Sequence, residues 1–218
     1  ISQTYSAFHL ISATDAMGIT STCTYDSAGR LISESVAEKL TQYSYDALGN
    51  LSIIKKKIDN QSAWRYECKN YDLFGRVLEE RIEDKTAKVF QKTSFAYDKH
   101  DHLILEQCTG SAGVSSTHYT YDAFDQLIKK VDPQNNITHY RYNPSFQNSL
   151  KQKVLQIIEI DPKGRQKKTT MDTLHCIESI EILSPIAKTL DKKRYFYDKA
   201  GNKAREEHDV YHDTKKVE

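Results

Sequence analysis

Three groupings of side chains in this sequence are of kinds that do chemistry. His100-Asp101-His102 sets two imidazoles at alternate positions, on one face if the segment is a strand, which is half of a transition-metal site. No third ligand stands at a fixed spacing, and the tripeptide falls where a chain reversal is expected, so it is read as a polar turn. His208 and His212 are spaced i, i+4 and would share a helical face. The zinc-protease arrangement requires Glu directly after the first His, and Asp209 stands there instead. The many Asp and Tyr residues are of the types that serve general acid-base catalysis. They recur as one unit along the chain, whereas a reaction needs its acid or base once. No catalytic, cofactor-binding or metal-binding residue is assigned, and the chain is expected not to be an enzyme.

Composition agrees with a structural reading. With Tyr set aside and Gly counted, apolar residues are roughly 35% of the chain, against about 45–50% in ordinary globular domains. Such a chain suits a thin sheet, wetted over much of its area and ordered by partly buried tyrosines, better than a thick aliphatic core. The 14 Tyr and 7 Phe supply too many anchors for disorder. A net charge of +1, from 31 basic and 30 acidic residues, offers no bulk attraction to nucleic acid or anionic lipid. The run Lys55-Lys56-Lys57 is expected at a solvated sheet edge or strand end. Cys23, Cys68, Cys108 and Cys176 form no CxxC pair and no zinc spacing, and are expected to be free, mostly buried thiols. No apolar run reaches the ~20 residues of a membrane span, and no signal-peptide pattern opens the chain. A start at Ile1 is expected of a fragment of a longer polypeptide.

The elements that position these residues come from an internal repeat. The pair Tyr-Asp occurs at Tyr25-Asp26, Tyr45-Asp46, Tyr71-Asp72, Tyr97-Asp98, Tyr121-Asp122 and Tyr197-Asp198, with weaker copies at Tyr142-Asn143 and Met171-Asp172. Steps between the eight anchors are 20, 26, 26, 24, 21, 29 and 26 residues. Two positions before the anchor stand Cys23, Tyr43, Phe95, Tyr119, Tyr140 and Tyr195. Four after it stand Gly29, Gly49, Gly75 and Gly201, and six after it Leu31, Leu51, Val77, Leu103, Leu127 and Ile177. Six of the eight glycines lie in D-x-x-G, and eleven of the fourteen tyrosines lie at or two before an anchor, so the pattern is not incidental.

Mechanically the unit is a β-hairpin. Thr41, Tyr43 and Tyr45 alternate with polar residues, as on a strand with one packed face. Asp46 opens the turn by accepting the backbone N–H two residues on. Ala47 and Leu48 occupy the centre of a type I turn, and Gly49 takes the positive φ of a glycine bulge. Leu51 and Ile53 resume the alternation. Asp101 and Asp125 replace the turn glycine, and Asp tolerates positive φ at a cost of about 1 kcal/mol. In the seventh copy His175 holds the glycine position and Met171 the tyrosine position, so that repeat is expected to be distorted, or Asp161-Pro162-Lys163-Gly164 to be the true turn there. Far-side turns are expected at Asp59-Asn60, Gly110 to Gly113 and Asp132 to Asn136. The fold class is therefore all-β: tandem antiparallel hairpins stacked edge to edge in one array over 1–218, least regular over 146–190.

The pattern Tyr-x-Tyr-Asp-x-x-Gly-Arg/Asn-Leu, complete in Tyr43 to Leu51, resembles the YD repeat of Rhs proteins, of insecticidal toxin complex shells and of teneurins. Asp15 to Thr20 running into Tyr25 to Leu31 is similar to a full Rhs-type unit. The resemblance implies a curved, spiralling sheet forming part of a hollow shell, which in the bacterial relatives encloses a variable toxic domain. It implies secreted or cell-surface deployment, further YD repeats of the same polypeptide as partners, and a toxin or effector as cargo. No cofactor is implied. This sequence carries neither a segment resembling the self-cleaving core of Rhs shells nor an evident effector domain. The alternative reading is a carbohydrate-binding or adhesion module in which sugars stack on rows of tyrosine such as Tyr43 and Tyr119.

Overall fold

The computed structural model describes every residue except 1, 38, 58–62, 199, 213, 214 and 218, and no side chain of 212–217. The Asp59-Asn60 turn and the side chain of His212 thus lie outside the described residues. The described chain is all-β, with nineteen strands and no helix. It divides into two compact units, Ile1–Asp98 with Leu103–Ser116, and Lys99–His102 with Thr117–Glu218.

The first unit is an antiparallel meander of β1 (Ser2–Ser6), β2 (His9–Thr14), β3 (Thr20–Tyr25), β4 (Leu31–Val36), β5 (Lys39–Tyr45), β6 (Leu51–Lys57), β7 (Trp64–Tyr71), β8 (Val77–Asp84), β9 (Val89–Tyr97) and β10 (Leu103–Gly110), each paired with the next. β11 (Gly113–Tyr121) follows. The second unit continues with β12 (Leu127–Val131), β13 (Ile137–Gln147), β14 (Lys153–Ile160), β15 (Gln166–Met171), β16 (Ile177–Leu183), β17 (Thr189–Tyr197), β18 (Lys203–His212) and β19 (Lys215–Val217), again paired in sequence order from β11. Connections are short, and every strand finds its hydrogen-bond partner next to it in the chain, the cheapest closure in loop entropy.

One turn chemistry serves both ends of the strands. At Asp46 the backbone N–H donates to Asn50 O (2.9 Å) and Gly49 N–H donates back to Asp46 O (3.1 Å). The same pair of bonds closes turns opened by Asp15, Asp26, Asp72, Asp84, Asp122, Asp132, Asn148, Asp161, Asp172, Ser184 and Asp198. The fourth residue takes positive φ throughout, whether Gly49 (φ 90°), Asp125 (63°), Lys151 (59°), His175 (62°) or Ala187 (61°). Registers shift by one at the tyrosine of these hairpins, for example between Ser44 and Tyr45, which is the expected bulge.

Two expectations need correction. The seventh copy is not distorted: Asp172 to His175 closes normally, and Asp161 to Gly164 is a separate turn of the same kind on the other side. Tyr142-Asn143 does not open a turn, because β13 runs on to Gln147 and the reversal starts at Asn148. Pro144, which has no N–H to give a ladder, sits where the register shifts between Asn143 and Phe146. Of the two places expected for the lysine run it takes the strand end, closing β6 with Lys56 and Lys57 exposed, and not a sheet edge, since β5 and β7 flank β6. Lys55 Nζ lies 4.1 Å above the Trp64 ring, and Lys56 pairs with Glu67 at 3.0 Å.

The sheet is thinly covered. Cys68, Val154 and Leu183 are the enclosed apolar side chains among the described residues. Strand register puts these three, with buried Gln156, Thr170 and Asp209, on the face opposite the anchor tyrosines of their own unit. The tyrosine face, expected to be the packed one, is half-buried. Long phenols lie along the sheet with their hydroxyls at backbone level, whereas shorter side chains crowd together on the other face.

Candidate functional site

The recurrent site is the turn and the tyrosine beside it. The aspartate carboxylate that opens each turn does more than the single contact expected. Asp46 Oδ1 accepts from the N–H of Leu48 (2.9 Å) and of Asn50 (2.8 Å), while Oδ2 accepts from Asn50 Nδ2 (3.0 Å). Asp26 and Asp72 do the same with Arg30 Nε (2.7 Å) and Arg76 Nε (2.6 Å). Asp132, Asp161 and Asp198 use Asn136, Arg165 and Asn202. This explains the Arg/Asn that follows the glycine, a position visible in the motif but without a role until the donor geometry is seen.

These bonds hold the carboxylates ionised. Asp46 and Asp132 lie below the ordinary carboxylate range chiefly through the side-chain amides of Asn50 and Asn136. Asp26 and Asp198 do so chiefly through the backbone N–H of Arg30 and Asn202.

The anchor tyrosines tie hairpin to hairpin. Tyr45 Oη donates to Leu31 O (2.8 Å), Tyr71 Oη to Leu51 O (2.7 Å) and Tyr97 Oη to Val77 O (2.9 Å). In the second unit Tyr142 Oη donates to Leu127 O (3.1 Å) and Tyr197 Oη to Ile177 O (3.0 Å). Each acceptor is the residue six after the preceding anchor, so two columns of the sequence pattern are the two ends of one hydrogen bond. Tyr25 also donates to a backbone carbonyl of the hairpin before it, Leu10 O at 3.0 Å, although no Tyr-Asp pair precedes it. Tyr142 keeps this bond despite its displaced turn. Arginines after the glycine add a second tie: Arg30 and Arg76, held by their own turn aspartates, lie 4.7 Å and 4.8 Å over the rings of Tyr45 and Tyr97 in the next hairpin.

Tyr43 and Tyr119, two before their anchors, stand on the same face as those anchors; Tyr43 Oη donates to Glu34 (3.2 Å) and Lys130 covers the Tyr119 ring at 5.8 Å. Gly29, Gly75 and Gly201 share the positive φ of Gly49. Asp98 follows β9, and Asp122 Oδ1 accepts from Phe124 and Gln126.

The histidine groupings are placed differently from each other. His100 and His102 rings are 6.0 Å apart, and His102 stacks on Tyr121 at 4.4 Å with Nε2 3.3 Å from Asp125 Oδ1. His208 sits on a strand, not a helix, with Nε2 2.6 Å from Asp191 Oδ1 on the neighbouring strand. All four cysteines are free, and only Cys68 is buried; its Sγ donates to Glu83 (3.4 Å), within a cluster in which Arg81 joins Glu79 and Glu83. No helix is long and apolar enough to cross a membrane among the described residues.

No protein-family description matches the chain. A stretch of 132 residues is 30% identical to double-stranded DNA deaminase toxin A of Burkholderia cenocepacia (strain H111), covering 56% of this chain and 9% of that protein. The fold is similar to the crystal structure of TcdB2-TccC3-Cdc42 (TM-score 0.48, 14% identity, 94% of this chain and 12% of that one). It is similar also to TcdB2-TccC3 without its hypervariable C-terminal region (TM-score 0.49, 13% identity, 92% and 12%). The chain thus spans about a tenth of the length of these proteins. The resemblance to Rhs and YD-repeat proteins stated from the motifs stands beside these likenesses.

Proposed function

We propose that this chain is a structural repeat segment of an Rhs/YD-type shell, whose task is to scaffold or enclose a toxin or effector domain of the polypeptide that carries it. The observation that carries the reading is the repeated bond from one anchor hydroxyl to the backbone carbonyl of the hairpin before it. Such a tie stiffens a wall two strands at a time and forms no pocket for a reaction. In this reading the array from 1 to 218 is one stretch of wall, the six Tyr-Asp pairs with Tyr43, Tyr119, Gly29, Gly49, Gly75 and Gly201 are its fasteners, and its neighbours are further YD repeats. Deployment at the cell surface or by secretion follows from the same resemblance.

Sugar stacking on the tyrosine rows is the second reading. It is the weaker because cations already lie over ring faces: Arg30 on Tyr45, Lys130 on Tyr119 and Lys203 on Tyr195.

Limited proteolysis of the full polypeptide tests the shell. The domain adjoining the repeats should resist protease while the anchors are intact and become cleavable in a Tyr45→Phe/Tyr71→Phe/Tyr97→Phe variant. Equal cleavage of that domain in wild type and variant sinks the reading. Glycan binding lost on Tyr119→Ala would instead favour adhesion.

A further inference from the structure

On the second unit, Lys129, His139 and Arg141 share the face opposite the anchor tyrosines. Lys129 stands opposite Thr120 on one side and His139 on the other, His139 is opposite Ile160, and Arg141 is opposite Ile158. All three line one open concavity of about 480 Å³ with Thr120, Ile128, Tyr140 and Ile160, and no carboxylate lines it. The nearby Glu159 belongs to the other face, 3.8 Å from Lys167. Lys168, next along the row beyond Ile158, stands opposite Glu181 and ends the strip there.

The other three arginines of this unit are ion-paired: Arg165 with Asp161, Arg194 with Glu207 and Asp209, and Arg205 with Glu207. Among the described residues, Arg141 alone of the four has no carboxylate within 4 Å. In a chain with nearly equal acid and base counts, a guanidinium, an ammonium and an imidazole gathered without a counter-charge form a local field that a partner can neutralise.

We propose that this concavity docks an acidic polypeptide segment, with an Asp or Glu carboxylate held by Arg141 and Lys129 and the aliphatic part of the segment against Ile160. A guanidinium fork matches a carboxylate in two parallel hydrogen bonds. A nucleic acid fits less well. Its affinity comes from many phosphates neutralised along a track, and here two cations, with an imidazole beside them, converge on one hollow in a chain of net charge +1. The inference does not depend on the shell reading.

Fluorescence anisotropy of a labelled decapeptide of alternating Glu and Ala, titrated with the whole chain at low and at physiological salt, reads the interaction. Binding is expected to weaken on the order of tenfold with Arg141→Ala and with Lys129→Ala. Arg141→Lys should recover part of it, and Lys153→Ala on an exposed site elsewhere should change nothing. Circular dichroism confirms that each variant is folded. A peptide that fails to bind at low salt, that binds the two alanine variants as tightly as wild type, or that is outcompeted by an equally long single-stranded oligonucleotide acting through the same residues would overturn the proposal.

Discussion

At the scale of single residues, the tyrosine hydroxyl and the turn carboxylate divide the work. Removing the Tyr71 hydroxyl leaves the Leu51 carbonyl without its donor at 2.7 Å while keeping the ring in place. Tyr71→Phe should therefore destabilise the chain by about 0.5–1.5 kcal/mol, measured by urea unfolding. The carboxylates predict a pH dependence with a definite sign. Folded-state values at Asp26, Asp46, Asp132 and Asp198 are depressed, so these groups bind fewer protons folded than unfolded. Their contribution is complete above the unfolded carboxylate value and disappears as pH falls through the folded one. The midpoint of thermal unfolding should decline as acid is added from just above the ordinary carboxylate value downward. Asp46→Asn with Asp132→Asn should flatten that decline, and an unchanged slope would show that the turns do not depend on charge. Thiol chemistry is also residue-specific. Burial and the bond to Glu83 push the Cys68 thiol up, so iodoacetamide followed by mass spectrometry should label Cys68 last of the four.

At the scale of the hairpin, the turn is one device with interchangeable parts. Its fourth residue must take positive φ, which costs a residue with a Cβ roughly 1 kcal/mol relative to glycine. His175→Gly should accordingly stabilise the chain by about 0.5–1 kcal/mol, and Gly49→Ala should destabilise it by a similar amount, both read from denaturant midpoints. Gly29 is more demanding. A Cβ there would approach His9 Nε2 to 2.9 Å, so in Gly29→Ala the His9 ring must shift away from its place beside Tyr25. Large apolar residues at the third turn position, such as Phe74 and Phe124, stay largely in water (83% and 82% exposed), although the Arg76 guanidinium lies 5.3 Å over the Phe74 ring.

At the scale of the whole molecule, each strand pairs with its neighbours in sequence, so stability accumulates locally, as in other repeat proteins. Hydrogen exchange should register this. Tyr71→Phe should speed amide exchange in β6 to β8 and leave β1 and β2 at their wild-type rates, whereas a uniform rise would indicate one cooperative block. The thin covering of the sheet, with Cys68, Val154 and Leu183 as its enclosed apolar residues, fits a chain whose order comes from ladders and ties more than from a deep core.

Much of this was legible in the residues alone, because the hairpin is written locally. An aspartate, two permissive positions and a glycine specify a reversal through bonds spanning four residues. Alternating Tyr and Leu then set the strands on either side, so Tyr43 to Ile53 could be assigned without coordinates. What only the folded chain decided involves partners one hairpin apart. The Tyr-to-carbonyl tie links residues 14 to 20 apart in sequence. The role of Arg30 and Arg76 over the next tyrosine is of the same kind, as is the extension of β13 past Asn143. So is the gathering of Lys129, His139 and Arg141 on one face. A motif records what each residue does to its own backbone; which side chains meet across strands depends on register and bulge, and those exist only once neighbouring hairpins have paired.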